Sequence, residues 1–346
     1  MRGEEIRMIR GAIKKLVEGI NLTEEEAAAA MDCIMSGEAT QAQIGSFITA
    51  LRIKGETVDE ITGCAKVMRE KANKIKPNID YYIDTCGTGG DGSNTFNIST
   101  ASAFVAAAGG VKIAKHGNRS VSSKSGSADV LEKLGININL EPHEVSYCIE
   151  KAGIGFMYAP VFHKSMKYAA GPRKEIGVRT VFNILGPLTN PAEAKGQVMG
   201  VFDEKLVDQL GNVLIKLNVE RAMIIHGSDG MDEITLSGRT KICEINNGNI
   251  LNYTIEPEDF GFSEASKEQL VGGSSEDNAE IIKAVFRGED GPAKDVVILN
   301  SAAALYIGKI APSMKEGVSM AREIIDSGAA MRKLEELIEV SNSFNN

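Results

Sequence analysis

The sequence predicts an α/β protein in which a small all-helical domain precedes a larger α/β domain with a mostly parallel central sheet. Two observations carry this prediction. Residues 1 to 76 show apolar side chains at helical spacing and no strand pattern, whereas from Tyr81 onward short apolar runs alternate with helical patterns. Strands that alternate with helices are typical of a largely parallel sheet covered by helices on both faces.

The first 76 residues predict four helices. Apolar residues repeat at helical spacing along the first of them, at Ile6, Ile9, Ile13 and Leu16. Thr23 and Thr57 are each followed three residues later by glutamate, which is the signature of a capping-box start. Between these two helices an apolar stripe precedes Gly55 and predicts the remaining one. These stripes predict a helical core, and a spare stripe could pair with a second chain.

The second part of the chain predicts alternating elements. The expected strands are 81–85, 111–115, 154–158, 196–202 and 221–226. The expected helices are 99–108, 127–134, 143–152, 204–217, 276–287, 293–308, 314–326 and 329–341. Residues 240–255 predict a β-hairpin, because Asn247-Gly248 lies between two β-type runs.

Composition restricts the classes of function. The net charge of −9 argues against non-specific nucleic-acid binding, which needs a basic surface that releases counterions. An anionic substrate must therefore be held by locally concentrated Lys, Arg and metal. The five cysteines contain no CxxC pair and predict free thiols in a reducing compartment. With a charged, helical N-terminus and no apolar run of membrane-spanning length, we expect a cytoplasmic protein.

Two polar loops between residues 83 and 129 have the chemistry of an anion cradle. One contains Gly87, Gly89, Gly90 and Gly92 and follows an apolar run; the other follows residues 111–114 and continues through Lys115 to Asp129. Glycine lets backbone N–H groups approach a phosphate closely, and a following helix N-terminus adds partial positive charge. Both loops are predicted at the carboxyl ends of strands, where parallel sheets bind ligands.

Side chains in these loops match the same chemistry. Hydroxyl groups can donate to phosphate oxygens or ligate a hard cation, and the basic side chains supply positive charge. The hydroxyl residues are Thr95, Ser99, Thr100, Ser122, Ser123 and Ser127, and the basic residues are Lys115, Arg119 and Lys124. The alternative is that the glycines only cap turns and the serines only solvate loops. The pattern is neither a Walker A loop nor a dinucleotide fingerprint.

Further polar residues lie outside these loops. Asp232 and Glu233 follow another strand and are plausible Mg²⁺ ligands, although a solvated acidic turn would have the same sequence. Arg173 could bind a carboxylate bidentately or lie on a helix surface. His116 and His163 could act in acid–base steps or form pocket walls.

In motif order and spacing, the chain resembles the anthranilate phosphoribosyltransferase family. The motifs are Gly87-Thr88-Gly89-Gly90-Asp91, Asn97-Ile98-Ser99-Thr100, Lys115-His116-Gly117-Asn118-Arg119-Ser120, Ser125-Gly126-Ser127-Ala128-Asp129, Arg173-Lys174-Glu175-Ile176-Gly177 and Phe182-Asn183-Ile184-Leu185-Gly186-Pro187-Leu188-Thr189-Asn190-Pro191. The resemblance implies transfer of phosphoribosyl from 5-phosphoribosyl 1-diphosphate to the amino group of anthranilate, a step of tryptophan biosynthesis. Lys164 departs from this pattern, since proline follows the histidine in many relatives, which puts only the local backbone in doubt.

The resemblance also implies roles for individual residues. Those implied to hold phosphoribosyl diphosphate are Gly87, Gly90, Asp91, Thr95, Asn97, Ile98, Ser99, Thr100, Lys115, His116, Gly117, Asn118, Arg119, Ser120, Val121, Ser122, Ser123 and Ser127. Those implied to contact anthranilate are Gly87, Asn118, His163 and Arg173. Two Mg²⁺ ions per site are implied, one on Ser99 and Glu233 and the other on Asp232 and Glu233.

The fold of this family implies the domain organisation. The small helical domain takes residues 1–74 and a central helical segment about 163–183, and the large α/β domain takes 75–162 and 184–346, with the active site in the cleft between them. Relatives of this fold imply a homodimer joined through the helical domain. We expect hinges near 75–80 and near 184–190, where Gly186-Pro187 is predicted to interrupt the helix pattern.

The implied chemistry needs no strong base, because the aromatic amine is neutral at pH 7 and already has a free lone pair. We therefore expect His116 and His163 to shape the aromatic pocket. Two other functions stay open at this point. A pyrimidine nucleoside phosphorylase of the same fold would not need the paired carboxylates Asp232 and Glu233. A non-catalytic phosphoribosyl diphosphate-binding module could have lost those carboxylates or Arg173, and all are present.

Overall fold

Seven strands form one sheet at the centre of the computed structural model, which describes residues 2–120 and 124–344. The strands are β1 (Ile83–Gly87), β2 (Ile113–Gly117), β3 (Ile154–Tyr158), β4 (Gly196–Gly200), β5 (Arg221–Gly227), β6 (Thr240–Asn246) and β7 (Asn249–Ile255). Their order across the sheet is β3-β2-β1-β4-β5-β6-β7. All pairings among the first five strands are parallel, and the pairings β5–β6 and β6–β7 are antiparallel, which confirms the mostly parallel sheet. Strand β4 ends two residues earlier than predicted.

The predicted hairpin is confirmed. Strands β6 and β7 pair along their length and are joined at Asn247 and Gly248, which have φ of 48° and 82°. Positive φ at both central positions is the requirement of a type I′ turn, whose twist matches that of the strands it connects. Asparagine and glycine adopt this conformation at the least steric cost.

Fifteen α-helices surround the sheet within the described residues. They are α1 (Arg2–Val17), α2 (Glu24–Met35), α3 (Gln41–Lys54), α4 (Val58–Lys71), α5 (Ile98–Ala108), α6 (Ser127–Lys133), α7 (Pro142–Ala152), α8 (Ala159–Phe162), α9 (Lys167–Ile176), α10 (Phe182–Leu188), α11 (Lys205–Lys216), α12 (Ser275–Phe286), α13 (Pro292–Ile307), α14 (Met314–Asp326) and α15 (Ala329–Asn342). The four N-terminal helices and each helix predicted after residue 98 are present, with ends within about two residues of those expected.

The N-terminal helices begin where their caps predict. The side chains of Thr23 and Thr57 each accept a hydrogen bond from the backbone three residues on, and the glutamate there returns one. Thr40 forms a third capping box with Gln43 at the start of α3. Each box satisfies two N–H groups that a helix start otherwise leaves without partners.

Alternate residues of the central strands pack into two different cores. Val198 and Met223 belong to a core shared with α5–α7 and α12–α15, whereas their neighbours Met199 and Ile224 belong to a core shared with α11 and the N-terminal helices. Successive side chains of a strand point to opposite faces, so helices cover both faces as predicted. The N-terminal helices therefore pack on the same side of the sheet as α11.

The central segment differs from what periodicity predicted. Helices α8–α10 follow β3, and α9 packs against α2 and α3, while α10 packs against α4. The predicted interruption at Gly186-Pro187 is wrong, because both residues lie inside the last turn of α10. Proline removes one backbone hydrogen bond, and this loss is tolerated here because the helix ends one residue later, at Leu188.

Two further observations concern the whole described chain. None of its helices combines the length and the hydrophobicity needed to cross a membrane. None of the five cysteines forms a disulfide in the described chain, as predicted, and Cys86 is the one of them that lines the cavity described next.

Candidate active site

A cavity of about 700 Å³ opens at the carboxyl ends of β1, β2 and β3, between the sheet and helices α4, α9 and α10. The residues that the resemblance assigns to substrates or Mg²⁺ and that lie within 2–120 and 124–344 all line it: Gly87, Gly90, Asp91, Thr95, Asn97, Ile98, Ser99, Thr100, Lys115, His116, Gly117, Asn118, Arg119, Ser120, Ser127, His163, Arg173, Asp232 and Glu233. Lys124, which was predicted from its charge, does not line it. Val121, Ser122 and Ser123 lie outside the described residues. The fold therefore brings together residues that are up to about 146 positions apart in the chain.

The glycine-rich loop after β1 makes close contact with the first carboxylate. Gly89 has φ of +65° and its N–H donates to Asp232 Oδ2 at 2.7 Å. A Cβ at Gly87 would stand 2.3 Å from the same Oδ2 atom. Glycine at position 87 is thus required for this approach, because no side chain fits between the strand end and the carboxylate.

The N-terminus of α5 holds the second carboxylate. Asn97 occupies the N-cap position, and the N–H of Ser99 in the first turn donates to Glu233 Oε1 at 2.9 Å. Thr100 lies in the same turn, and its buried hydroxyl has no hydrogen-bond partner in the described chain. The helix start therefore presents backbone and hydroxyl groups that suit an anion or a bound cation.

Burial and mutual repulsion make the two carboxylates hard to ionise. Burial, and then the charge of Asp91, raises the pKa of Asp232 to about 6. Burial, and then the charge of Asp232, raises the pKa of Glu233 to about 8. A divalent cation relieves this repulsion, and an all-oxygen donor set suits Mg²⁺. The residues fit such an ion, although the described residues contain no group of three or more His, Cys, Asp or Glu arranged as a complete metal site.

Lys115 is a buried cation whose charge acts on this acidic group. It is buried at the end of β2, its Nζ donates to the carbonyl of Thr85, and its charge acts on Asp84 and Glu233. Burial lowers the pKa of its ammonium group, while the nearby carboxylates oppose that shift. Arg119 differs, because its guanidinium forms ion pairs with Asp129 and Glu132. Lys115 is therefore better placed than Arg119 to offset charge deep in the cavity.

The loop after β2 is closed by short-range contacts. Ser127 Oγ donates to the carbonyl of Asn118 at 3.4 Å, and Ser120 N–H donates to Asp129 Oδ2 at 3.0 Å. A Cβ at Gly117 would lie 2.2 Å from Ser127 Oγ. Glycine at this position allows the strand end and the start of α6 to meet.

Two histidines form one wall of the cavity. The ring centroids of His116 and His163 are 5.0 Å apart, and the Nε2 atom of each is buried without a hydrogen-bond partner among the described residues. Burial lowers the pKa of His116 to about 3 and that of His163 to about 4, and the proximity of His163 contributes to the shift of His116. Both rings are therefore neutral near pH 7, and no carboxylate within the described part of the chain orients either of them as a base.

Arg173 lines the cavity beside the aromatic ring of Phe182. Its guanidinium carbon is 5.0 Å from the ring centroid of Phe182, and burial lowers the pKa of the side chain. It forms no ion pair in the described chain. Met68 and Pro160 contribute apolar surface nearby. An unpaired arginine beside apolar walls suits an aromatic carboxylate.

The sequence did not predict the residues that hold the loops of this site in place without lining the cavity. Asn278 on α12 is buried and donates to Asn97 Oδ1 at 3.0 Å, while Asn97 Nδ2 donates to the carbonyl of Ser125 at 3.4 Å. Phe96 N–H donates to the carbonyl of Leu270 at 3.1 Å, so the segment before α12 is hydrogen-bonded to the loop that precedes α5. These partners lie far away in the chain and show no local motif that could have identified them.

Two family models match the chain. The glycosyl transferase family helical bundle domain matches residues 10–72, and the glycosyl transferase family a/b domain matches residues 80–331. Together they span both parts of the fold.

Individual relatives match over nearly their full length. The chain is 67% identical over 337 residues to an anthranilate phosphoribosyltransferase of Acetivibrio thermocellus, covering 97% of this chain and 98% of that protein. A crystal structure of anthranilate phosphoribosyltransferase from Thermus thermophilus has a TM-score of 0.91 at 42% identity, covering 96% of this chain and 99% of that one. The Saccharomyces cerevisiae enzyme in complex with PRPP and Mg has a TM-score of 0.89 at 28% identity, covering 97% and 98%.

Proposed function

Because this chain belongs to the anthranilate phosphoribosyltransferase family, we propose that its cavity transfers phosphoribosyl from 5-phosphoribosyl 1-diphosphate to the amino group of anthranilate. The products are N-(5-phosphoribosyl)anthranilate and diphosphate, and the reaction belongs to tryptophan biosynthesis. The observation that carries the proposal is that the glycine loop, the buried carboxylates and Arg173 line one cavity.

We assign the phosphoribosyl diphosphate to the loops after β1 and β2 and to the start of α5. Backbone N–H groups and hydroxyls there donate to phosphate oxygens, and buried Lys115 adds positive charge. Negative charge grows on the diphosphate as its bond to the ribose breaks. Donors fixed in position before the reaction stabilise that charge at no cost of reorganisation, so they contribute most to lowering the barrier.

Asp232, Glu233 and Ser99 are the residues we assign to Mg²⁺, with two ions per site. The ions supply electrostatic stabilisation of the leaving diphosphate when bound. The arrangement that supports this assignment is a pair of buried carboxylates with raised pKa values beside the glycine loop. Gly89 N–H and Ser99 N–H each hold one oxygen of a carboxylate and so fix its orientation.

We assign anthranilate to the side of the cavity that contains Arg173, Asn118, His163 and Gly87. Arg173 binds the carboxylate, and the apolar wall near Phe182 and Met68 accepts the ring. The amine needs no deprotonation before it attacks, so His116 and His163 act as uncharged walls. Enclosing the reacting ribose away from water limits hydrolysis.

The domain division proposed for this reaction places 1–74 and about 163–183 in the small helical domain and 75–162 with 184–346 in the large one. It is supported by the packing of α9 against α2 and α3. Arg69 on α4 donates to the carbonyl of Leu188 at 2.7 Å, so the two parts meet near the end of α10.

We further propose a homodimer formed through the helical domain. Val17 on α1 and Ile53 on α3 are 73% and 81% exposed, the highest values for large apolar side chains among the described residues, and both belong to the helical domain. Sedimentation should show a dimer for the wild type and a monomer for the pair Val17→Asp and Ile53→Asp. Leu251→Asp, at another exposed apolar residue, is the control and should stay dimeric. A wild-type monomer at micromolar concentration would contradict the proposal.

Five cysteines that form no disulfide among the described residues support a working location in the reducing cytoplasm. The pyrimidine nucleoside phosphorylase and the non-catalytic module are not favoured by the relatives, which are anthranilate phosphoribosyltransferases. Mass spectrometry of a mixture of protein, anthranilate, phosphoribosyl diphosphate and Mg²⁺ tests the reaction directly. The expected result is N-(5-phosphoribosyl)anthranilate with equimolar diphosphate, and phosphate-dependent cleavage of a pyrimidine nucleoside instead would overturn it.

A further inference from the structure

Arg179 reaches from the segment between α9 and α10 to the outer side of the glycine-rich loop. Its Nη2 donates a hydrogen bond to the carbonyl oxygen of Gly90. The side chain is exposed and does not line the cavity, whereas Gly90 and Asp91 do. Arg179 therefore contacts the loop from outside the cavity.

Phe202 holds this arginine in place. The guanidinium carbon of Arg179 lies 4.4 Å from the centroid of the Phe202 ring, a distance at which cation–π attraction is favourable. Phe202 is itself tied to the glycine-rich loop, since its N–H donates to Thr88 Oγ1 at 3.1 Å and Thr88 N–H donates to the carbonyl of Gly200 at 3.0 Å. The ring, the guanidinium and the loop form one connected unit.

The hydrogen bond to Gly90 fixes the direction of a neighbouring donor. The Gly90 carbonyl and the Asp91 N–H belong to the same peptide group, and the described chain contains no cis peptide. In a trans peptide these two groups point in opposite directions. With the carbonyl turned toward Arg179, the Asp91 N–H points away from Arg179, and it has no hydrogen-bond partner among the described residues.

Gly90 allows this orientation of the peptide, but the backbone of Gly90 alone does not fix it. Its φ is +72°, the φ of its neighbour Gly89 is also positive at +65°, and glycine interconverts between several such conformations at little cost. A loop of this kind needs an external contact to select one peptide orientation. No side chain among the described residues other than that of Arg179 donates to the Gly90 carbonyl.

We propose that Arg179 is a positioning residue that turns the Gly90–Asp91 peptide so that the Asp91 N–H donates to an anionic group of the substrate. The proposal rests on the proposed function, in which this loop holds the diphosphate. Arg179 acts through the backbone of Gly90 and not through its own charge on the ligand. Removing Arg179, or removing the ring that holds it, should therefore weaken diphosphate binding in the same way.

A double-mutant cycle tests this mechanism in the whole protein. Calorimetry measures the Kd of phosphoribosyl diphosphate with Mg²⁺ for the wild type, Arg179→Met, Phe202→Leu and the double variant. Loss of a hydrogen bond between a charged group and the carbonyl predicts that Kd rises about tenfold in each single variant. The double variant should be no weaker than Arg179→Met alone, because both substitutions remove the same contact.

Arg332→Met provides the matched control. Arg332 is also exposed and also donates to a backbone carbonyl, that of Ser327, at 2.9 Å, but it is remote from the cavity. Its Kd should equal that of the wild type. Thermal unfolding verifies that each variant is folded, and Arg179→Gln replaces Arg179→Met if the latter is not.

The outcomes separate this proposal from the proposed function. A wild type that binds no phosphoribosyl diphosphate removes the proposed function itself. Wild-type binding that is unchanged in Arg179→Met overturns the positioning role alone. Weakened binding in Arg179→Met with no change in Phe202→Leu also overturns it, because Arg179 would then act by charge.

Discussion

Asn278 donates a hydrogen bond from Nδ2 to Oδ1 of Asn97 at 3.0 Å, and this contact sets which face of the Asn97 amide meets the cavity. Asn278 is buried, and its own Oδ1 accepts from Gly273 N–H at 2.8 Å. Since Oδ1 of Asn97 is already used, Asn97 presents Nδ2 as a donor beside the carbonyl of Ser125. A donor at this position suits a phosphate oxygen.

We expect Asn278→Asp to weaken binding of phosphoribosyl diphosphate. The two side chains have nearly the same shape, but a carboxylate only accepts, so Asn97 must turn its amide and present oxygen to the anion. Loss of a charge-assisted hydrogen bond predicts a rise in KM for this substrate of about tenfold or more, with a smaller change in kcat. Steady-state kinetics with anthranilate saturating measures the effect.

Asn252→Asp on β7 is the matched control for Asn278→Asp, because it adds the same charge at an exposed position on the far strand of the sheet. Its KM should remain that of the wild type. An equal KM in both variants would mean that the orientation of Asn97 does not matter for binding.

His163 should matter far less to the rate than Glu233. The depressed pKa of His163, about 4, and the absence of an orienting carboxylate give it no role as a base, whereas Glu233 is assigned to Mg²⁺. We expect His163→Asn to lower kcat by less than about tenfold and Glu233→Ala by at least about a hundredfold. Rate measurements at saturating substrates compare them, and comparable losses in both variants would make His163 a participant in proton transfer.

The histidine pair should also make stability depend on pH. The pKa values of His116 and His163, about 3 and about 4, lie below the value of about 6.5 in an unfolded chain. Below pH 6.5 the unfolded chain therefore binds protons that the folded chain does not. The contribution of the two histidines to the free energy of unfolding is therefore complete above pH 6.5 and is lost as the pH falls toward 4. Between pH 7 and pH 5 the free energy of unfolding falls by about 2 kcal/mol for each histidine.

Urea unfolding at the two pH values measures this dependence. His163→Asn should lose about 2 kcal/mol less than the wild type over the same interval. His143→Asn, at an exposed position of α7, is the control and should lose as much as the wild type. Equal losses in all three proteins would show that burial of His163 does not carry the effect.

Substrate binding should bring the helical part and the α/β part closer together. The cavity is lined from both, by Met68 of α4 and Arg173 of α9 on one side and the glycine-rich loop on the other. We expect motion near 75–80 and near 184–190 and a smaller radius of gyration by small-angle scattering with both substrates bound. Glu233→Ala with the same substrates should scatter as the free protein, and no difference for the wild type would count against closure.

Much of this architecture could be predicted from local sequence because its signals are local. Each of these signals is visible within a few residues of sequence: the glycines after β1, the pair Asp232 and Glu233, and the threonine caps. The periodicity of apolar residues did not predict helices α9 and α10, because Pro172 and Pro187 lie inside them. Only the resemblance to a known family predicted a helical segment in that part of the chain.

The supporting contacts could not be predicted in this way. Asn278 lies 181 positions from Asn97, and Arg179 lies 89 positions from Gly90. Neither carries a motif, and each acquires its role only when the fold places it behind a loop. The ion pairs of Arg119 were not predicted either, although Asp129 and Glu132 are only 10 and 13 positions away. Sequence alone does not show which nearby carboxylate a loop side chain contacts, so Arg119 was treated as equivalent to Lys115.

The central claim is that one cavity holds both substrates, with Arg173 as the clamp for the carboxylate of anthranilate. The most direct measurement follows the loss of anthranilate fluorescence in the wild type, Arg173→Ala and the control Lys174→Ala, whose side chain is exposed on the same helix. Loss of fluorescence should require phosphoribosyl diphosphate and Mg²⁺, with KM for anthranilate about tenfold to a hundredfold higher in Arg173→Ala and unchanged in Lys174→Ala. Wild-type turnover that survives Arg173→Ala with the same KM would contradict it.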